Sequence, residues 1–436
     1  MRKWKNWICV RAGAAVASAW QKAADRADLR DPAVGSYRYV EEERDYKPLL
    51  PPKVANPANA TDFLFVPYTL ERLISYGIFI CMDSFLFVFT ALPIRAAIAL
   101  YHLILRHRKL HAIQKVDILK VIILVLGYLF LRLLDIPSLS SFMAKESLLK
   151  IKYLVTLLVV MDRLMSSYGQ NILGSLFWAV NQPANKVKRG YYWHFILSII
   201  YVNVHSTFLL GYIAVMDVAM EGKNTALLTL LILIQFAEMK SAVLKELSQD
   251  KLWAICYNDI VERFQLLVSL VLLFFYNISK HHINSFWDED WLTASEWLRP
   301  LLFSLLIIYL SELTVDWLKH TSIINFTDLS PHMYTELAYK ISKRLLDVDD
   351  KSFLTDRTQN IATGDLGVMP LSLGVLVLKV IGDWMPSGLN GLAVVVGLYL
   401  LGLLLRHLSG MLLSIYTRRF HAYKQQSGTA GKLFLR

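Results

Sequence analysis

Cysteine is scarce in this sequence. Its 436 residues include only Cys9, Cys81 and Cys256, which lie far apart. A disulfide framework needs an even set of cysteines in a short chain, and structural zinc sites need closely spaced cysteine and histidine pairs. The sequence therefore indicates neither a disulfide-stabilised domain nor a zinc site.

The common catalytic motifs are missing as well. The sequence has no Gly-rich phosphate loop, no HExxH pair and no GxSxG turn around a nucleophilic serine. These motifs place the phosphate-binding, metal-binding or nucleophilic groups that their chemistry requires. We therefore expect a protein that is not an enzyme, with no catalytic residues, cofactor or metal ligands to assign.

Charge is also limited, while apolar residues are abundant. Charged residues make up 19% of the chain, hydrophobic residues 55%, and the mean hydropathy is +0.41. A bilayer core of about 30 Å needs roughly 20 mostly apolar residues per helical span. The best windows are Leu73–Leu92, Ile118–Leu134, Tyr192–Val215, Phe264–Ile278, Leu298–Leu313, Val368–Val380 and Leu392–Leu405.

This pattern predicts an all-α, polytopic integral membrane helical bundle of about seven spans. Two shorter apolar runs, Ile151–Met161 and Ala226–Ala237, fall below spanning length and predict re-entrant, buried or interfacial helices. We divide the chain into an N-terminal amphipathic segment and flexible linker (1–61), a membrane domain (62–424) and a basic tail (425–436).

The net charge of +11 does not indicate a nucleic-acid partner. The basic residues are scattered among apolar windows and form no single patch with interleaved aromatic residues. Membrane topology is the simpler explanation, because Lys and Arg concentrate in cytosolic loops. We therefore expect membrane lipid, and no nucleic acid, to be a partner.

One polar stretch interrupts the apolar pattern at "MDRLMSSYGQNILGSLFW" (Met161–Trp178). Its apolar residues recur at helical spacing, while Asp162 and Arg163 fall on the other side. A charged side chain at the membrane centre costs about 2.5–3.5 kcal/mol on insertion scales. This amphipathic helix should therefore lie at the interface or turn its polar face toward protein.

Two further stretches carry charge beside apolar runs. Phe236–Gln265 includes Glu238 and Lys240, then Asp259, Glu262 and Arg263. This stretch predicts either solvated cytosolic helices or a docking surface for another polypeptide. In Ser311–Phe326, Glu312, Asp316 and Lys319 share one helix face. The pair Asp316 and Lys319 is typical of an ordinary terminal ion pair.

Asp83 lies ten positions into the first apolar window. An acidic residue at such depth rarely faces lipid, so its side chain should point inward to a partner or a cavity. We also hypothesise that Asp162 and Arg163 meet partners from Glu238–Lys240 or Asp316–Lys319 at the mouth of the bundle.

Several of these stretches, in the same order, resemble the transmembrane anterior-posterior transformation protein family. The similarity runs from about Leu70 to about Leu405, and residues 1–60 depart from the family pattern. The segments that carry it are "GIFICMDSFLFVFTALPIR", "VDILKVIILV", "MDRLMSSYGQNILGSLFW", "FAEMKSAVLKE", "NDIVERFQ", "SELTVDWLKHTSIINFTD" and "LGVMPLSLGVLVLKV".

The resemblance implies a multi-pass protein of the endoplasmic reticulum membrane without enzymatic activity. It further implies a complex with a SUN-domain-like membrane glycoprotein that helps newly made proteins mature or escape degradation. The residues alone leave another class open, a transporter, channel or lipid scramblase with a polar groove lined by amphipathic helices. An intramembrane enzyme would need a second acidic or histidine group near Asp83 or Glu312.

Overall fold

A computed structural model describes residues 57–105, 111–181, 188–220, 225–243, 248–280, 291–327, 329–347, 358–384 and 389–433. These residues form α-helices and one π-helical segment, with no β-strand among them. The predicted all-α membrane class is confirmed. The predicted segment 1–61 lies almost entirely outside the described residues.

The helices are long because their apolar runs continue through flanking polar residues. In chain order they are α1 (Pro57–Phe89), α2 (Ala91–Ile104), α3 (Ala112–Leu131), α4 (Ile136–Ala144), α5 (Leu148–Asn181), α6 (Lys188–Met220), α7 (Thr225–Val243), α8 (Gln249–Lys280), α9 (Trp291–Phe326), α10 (His332–Leu346), α11 (Pro370–Trp384) and α12 (Leu389–Leu433). The π-helical segment Asn360–Asp365 precedes α11.

Four helical segments are long and apolar enough to cross a bilayer, among the residues that the structure describes. They are Phe65–Ile104, Tyr192–Met220, Leu298–Phe326 and Gly391–Ala422. Each contains one of the seven predicted windows, and the other three windows also lie mainly in helices, namely α3, α8 and α11. Seven spans therefore stays a prediction, while membrane-spanning character is supported by these four.

The polar stretch Met161–Trp178 lies within α5. The short apolar run Ile151–Met161 belongs to the same helix, which has 34 residues. At 1.5 Å per residue such a helix is about 50 Å long. Polar and apolar segments that looked separate in the sequence thus form one continuous element, packed along α6.

Helix α1 is the centre of the bundle and contacts α8, α9, α10, α11 and α12. Its glycine at position 77 lets it approach α8, since a Cβ built there would lie 2.5 Å from the Cγ2 atom of Ile260. Leu70, Leu73 and Ile74 of α1 are 0–1% exposed. The charged ends of α8 and α9 therefore meet around one buried helix.

Candidate functional site: a buried ion network beside a polar groove

The charges of α8 lie before its apolar segment in the sequence, whereas the charges of α9 lie after its apolar segment. In α8, Asp259 and Arg263 precede the apolar run that begins at Phe264, while in α9, Asp316 and Lys319 follow the run that ends at Leu310. The spacing of three or four residues keeps each set on one face of its helix. Packing of α8 against α9 brings the two faces together.

Arg263 is the centre of the resulting network. Its Nε donates to Oδ2 of Asp316 at 2.7 Å, and its Nη1 donates to Oε1 of Glu71 at 2.7 Å. The same Glu71 oxygen accepts from Nε1 of Trp317 at 2.7 Å. Arg263 is 1% exposed. A single guanidinium thus joins α1, α8 and α9.

Asp259 organises the second half of the network. Its Oδ1 accepts from Nζ of Lys319 at 2.6 Å, and its Oδ2 lies 2.6 Å from Nε2 of His320. Lys319 also donates to Oδ1 of Asp316 at 2.8 Å, which links the two halves. The predicted Asp316–Lys319 pair is confirmed, but it is buried inside the bundle.

Tyr334 extends the network into α10. Its hydroxyl oxygen lies 3.0 Å from Nδ1 of His320. Burial raises the pKa of the Tyr334 phenol well above its usual range, so the hydroxyl stays protonated and can donate. The two ring nitrogens of His320 thus face different partners, Nδ1 the Tyr334 hydroxyl and Nε2 the Asp259 carboxylate.

The network nearly balances its charges. The carboxylates of Glu71, Asp259 and Asp316 face the cations of Arg263 and Lys319, and His320 supplies a further donor. A buried ion pair is costly to break, because removal of one partner leaves an uncompensated charge. The arrangement therefore fixes the positions of four helices.

A second cluster joins α5 to α6. Oδ1 of Asp162 lies 2.8 Å from Nε2 of His205, and Nδ1 of His205 lies 3.0 Å from the Tyr201 hydroxyl. Arg163 forms an ion pair with Glu262 of α8. These contacts involve neither Asp316 nor Lys319, and the other hypothesised partners, Glu238–Lys240, stay a prediction because the side chains of Glu238 and Lys240 are not described.

Asp83 lies in a third cluster, away from the first two. Its carboxylate accepts a hydrogen bond from Thr358 at 3.1 Å and lies 3.7 Å from Nε of Arg406. Asp83 is 4% exposed, so its predicted inward orientation is confirmed. Its partners are Arg406 of α12 and Thr358, which lies two residues before the π-helical segment.

A groove with two compartments lies beside the ion network, between α5, α6, α7, α8 and α9. The apolar compartment has a volume of about 120 Å³, and the charged compartment, of about 610 Å³, also has a mostly apolar wall but is lined by seven charged side chains. Both are lined by Arg163, Glu262 and Glu312. The charged compartment also reaches Asp316 and Lys319, so the groove touches the network.

The predicted site residues therefore divide into groups. Asp162, Arg163, Glu312, Asp316 and Lys319 line the groove, whereas Asp83 does not. The side chains of Glu238 and Lys240 lie outside the described residues. In the described part of the chain, no group of three or more His, Cys, Asp or Glu side chains is arranged to hold a metal ion.

Sequence reasoning missed three members of the network, namely Glu71, Trp317 and Tyr334. Arg263 was named, but it was interpreted as part of a solvated or docking helix. The structure buries Asp259 and Arg263 within the protein, which corrects both alternatives for these two residues. The burial of Asp259 and Arg263 could have been inferred from their sequence positions, because the two residues share a helix face directly before an apolar run.

Apolar helices of spanning length, joined by buried ion pairs, define a helical integral membrane protein. A sequence profile described as "Eukaryotic membrane protein family" matches residues 110–422. The chain belongs to the transmembrane anterior posterior transformation protein family.

Curated relatives show the extent of the similarity. The human "Transmembrane anterior posterior transformation protein 1 homolog" is 32% identical over 327 residues, which are 73% of this chain and 56% of that protein. "Protein TAPT1 homolog" of Dictyostelium discoideum is 31% identical over 381 residues, 81% of this chain and 45% of that protein. The chain thus spans about half the length of these relatives. No solved structure matches it.

Proposed function

We propose that this protein is a non-enzymatic scaffold or chaperone-like subunit of the endoplasmic reticulum membrane. In this role it acts with a SUN-domain-like membrane protein in the maturation or protection of newly made proteins. It crosses the membrane several times and has no nucleic-acid partner. The proposal rests on family resemblance for the partner and the compartment, and on the ion network for the mode of action.

The scaffold role rests on one observation. Arg263 forms ion pairs with two carboxylates at 2.7 Å, one from α1 and one from α9. A cation held this way stabilises helix positions. A proton relay or an ion pathway needs groups that exchange partners, as intramembrane carboxylates of pumps do. The network therefore favours a rigid platform over a moving one.

The platform also has surface available for a membrane partner. In the segment Gly391–Ala422 only 11% of the apolar window is buried within the protein. Leu392, Leu400 and Leu404 are 55–61% exposed. In a bilayer such a face contacts either lipid or the transmembrane helix of another protein, as the proposed complex requires.

The test is purification of the full chain from endoplasmic reticulum membranes in a mild detergent. We expect a SUN-domain-like glycoprotein at a constant stoichiometric ratio, measured by quantitative mass spectrometry. Polar substitutions at Leu400 and Leu404, with Ser414 to Ala on the same helix as a control, should reduce that ratio. Absence of this partner from the wild-type preparation would contradict the proposal.

The groove favours a second candidate, a transporter, channel or lipid scramblase. Its charged compartment of about 610 Å³ is the kind of polar cavity through which a solute or headgroup can move. Reconstitution of the pure chain in liposomes separates the two candidates. Ion or lipid flux that Glu312→Gln abolishes would favour transport, and no flux from correctly folded protein would favour the scaffold.

A further inference from the structure

We infer that a pocket around Lys120 binds an acyl-chain amphiphile with a compact anionic head, a carboxylate or a phosphate. This Lys120 pocket lies between α1, α3, α5, α11 and the π-helical segment, and it shares no lining residue with the groove. The inference goes beyond the proposed function and does not depend on the SUN-domain-like partner.

Lys120 places its ammonium group at the wall of the pocket. The residue lines the pocket and is 8% exposed. Its Nζ donates to Oε1 of Gln359 at 3.3 Å and lies 5.1 Å from the centre of the Phe177 ring. Gln359 and Phe177 line the same pocket. These distances place the positive charge where a ligand in the pocket would meet it.

The charge that lines the pocket has one sign. Among the described lining residues Lys120 is the only charged one, and none is Asp or Glu. Gln170, Asn360 and Thr363 add amide and hydroxyl groups that can donate to an oxygen anion. Helix α11 also begins at this wall with Pro370, and a helix N-terminus carries a partial positive charge. The pocket therefore favours a negatively charged head.

Two arginines lie nearby but face carboxylates of the protein. The guanidinium groups of Arg95 and Arg406 lie 5.6 and 5.1 Å from the centre of the Phe87 ring, which lines the pocket. Arg95 forms an ion pair with Asp117 at 2.8 Å, and Nε of Arg406 lies 3.7 Å from Asp83. The lysine at the pocket wall is therefore the cation to test.

Most other side chains of the pocket are apolar. They include Phe87, Val88, Leu92, Leu173, Phe177 and Leu371. The pocket volume of about 250 Å³ is slightly below the range of about 300–1,000 Å³ that is usual for small-molecule sites. Such a volume suits an anionic head and the start of one acyl chain.

The pocket opens at Gly174 of α5 and Gly364 of the π-helical segment. Both glycines line the pocket and are exposed, and a Cβ built at either would meet no other atom within 4 Å. An acyl chain longer than the pocket can leave through this opening. A large side chain at Gly174 can obstruct the same opening without displacing its neighbours.

The pocket also lies at the start of two apolar helices. In α3 the apolar run Val121–Leu131 begins directly after Lys120, and α11 begins at the pocket with Pro370. Four residues further along each helix, Leu124 lies beside Gly374, where a built Cβ would be 3.4 Å from Cδ2 of Leu124. Both apolar helices therefore run in the same direction from the pocket. An amphiphile at a membrane boundary has this order of charge followed by apolar chain.

The test measures binding to the purified full chain in a non-ionic detergent. The probes are radiolabelled oleate and oleoyl-lysophosphatidate, which carry the same acyl chain and differ in the anionic group. We expect one bound molecule per chain, with poor competition by monooleoylglycerol, which has the chain without a charge. Tighter binding of oleate would assign a carboxylate to the site, and tighter binding of oleoyl-lysophosphatidate a phosphate. Either result supports the inference.

Two variants test the pocket independently. Lys120→Met removes the ammonium group and keeps an apolar side chain, so the affinity for both anions should fall about tenfold or more. Gly174→Phe should also weaken binding, because it obstructs the opening. Lys115→Met is the matched control, since Lys115 is exposed on the same helix and does not line the pocket. Thermal unfolding shows that each variant is folded, and Gly174→Phe decides if Lys120→Met does not fold.

Three results would overturn the inference. The first is equal affinity for monooleoylglycerol, which would show that the charge is not recognised. The second is unchanged affinity in a folded Lys120→Met or Gly174→Phe protein. The third is competition by acetate or inorganic phosphate at the concentrations at which the amphiphiles bind, which would assign the site to a soluble anion. None of these results bears on the SUN-domain-like partner, which purification tests separately.

Discussion

Arg263 and Asp316 form a closed ion pair inside the bundle, with 2.7 Å between Nε and Oδ2 and both side chains 1% exposed. Desolvation of two charges is expensive, and it is offset here by direct contact and by the further bonds to Glu71 and Lys319. The stability of the protein should therefore fall most when only one member of the pair is removed, because the other charge stays buried.

Asp316→Asn should destabilise the protein strongly. The substitution removes the negative charge that faces both Arg263 and Lys319, and removal of one partner of a buried pair costs about 3–5 kcal/mol. We expect a large fall in the thermal unfolding midpoint in detergent, followed by intrinsic fluorescence. Glu336→Gln, an exposed carboxylate in α10, should leave the midpoint within error.

The double variant Arg263→Met with Asp316→Leu separates charge from packing. Apolar residues of similar volume often replace a buried ion pair with little loss. We expect the double variant to unfold at a higher temperature than Asp316→Asn alone. A midpoint below that of the single variant would mean that the remaining contacts of Arg263 to Glu71 matter more than the lost charge balance.

The sequence predicts the helical membrane class and the inward orientation of Asp83 because both follow from apolar content. It also predicts that Asp316 and Lys319 pair, since they are three residues apart on one helix. It does not predict that Arg263 pairs with Glu71, because these residues are 192 positions apart and only the packing of α1 against α8 brings them together.

The same limit applies to the partners of α5. Helical periodicity shows that Asp162 and Arg163 face away from the apolar side, but it does not show which neighbouring helix meets them. The crossing of α5 with α6 and α8 places His205 and Glu262 there instead of Asp316 or Lys319. Pairings between distant segments require the packing angles of the helices, which single-sequence patterns do not contain.

Charge exchange tests the contact between Arg163 and Glu262. Arg163→Glu should lower stability modestly, by up to about 1 kcal/mol, because both side chains are partly exposed and solvent screens the pair. Glu262→Arg in the same protein should restore most of the loss in a thermal unfolding assay. Rescue by a reversal at Glu238, and not at Glu262, would support the originally hypothesised contact instead.

Tyr334→Phe tests the connection from α10 to the network. The substitution removes the hydroxyl that lies 3.0 Å from Nδ1 of His320 while keeping the ring. One hydrogen bond contributes about 0.5–1.5 kcal/mol, so the unfolding midpoint should fall less than in Asp316→Asn. Tyr339→Phe, on the same helix, is the control for loss of a phenol outside the His320 contact.

Gly77→Ala tests whether the close approach of α1 and α8 positions the network. An added Cβ would lie 2.5, 2.6 and 2.8 Å from three side-chain atoms of Ile260, which is fully buried. Ile260 is branched at Cβ and has few alternative rotamers, so the helices must separate. Overpacking of this kind costs about 1–3 kcal/mol.

Gly174→Ala is the matched control for that substitution. Gly174 lies within α5, and an added Cβ there meets no other atom within 4 Å. Alanine in a helix interior is more stable than glycine by about 0.5–1 kcal/mol, so this variant should unfold at an equal or higher temperature. The two Gly→Ala substitutions are chemically identical. Opposite effects on the unfolding temperature would therefore identify the α1–α8 contact as the cause. If Gly77→Ala were also neutral, α1 and α8 would tolerate separation, and the distances from Arg263 to Glu71 would not depend on their close packing.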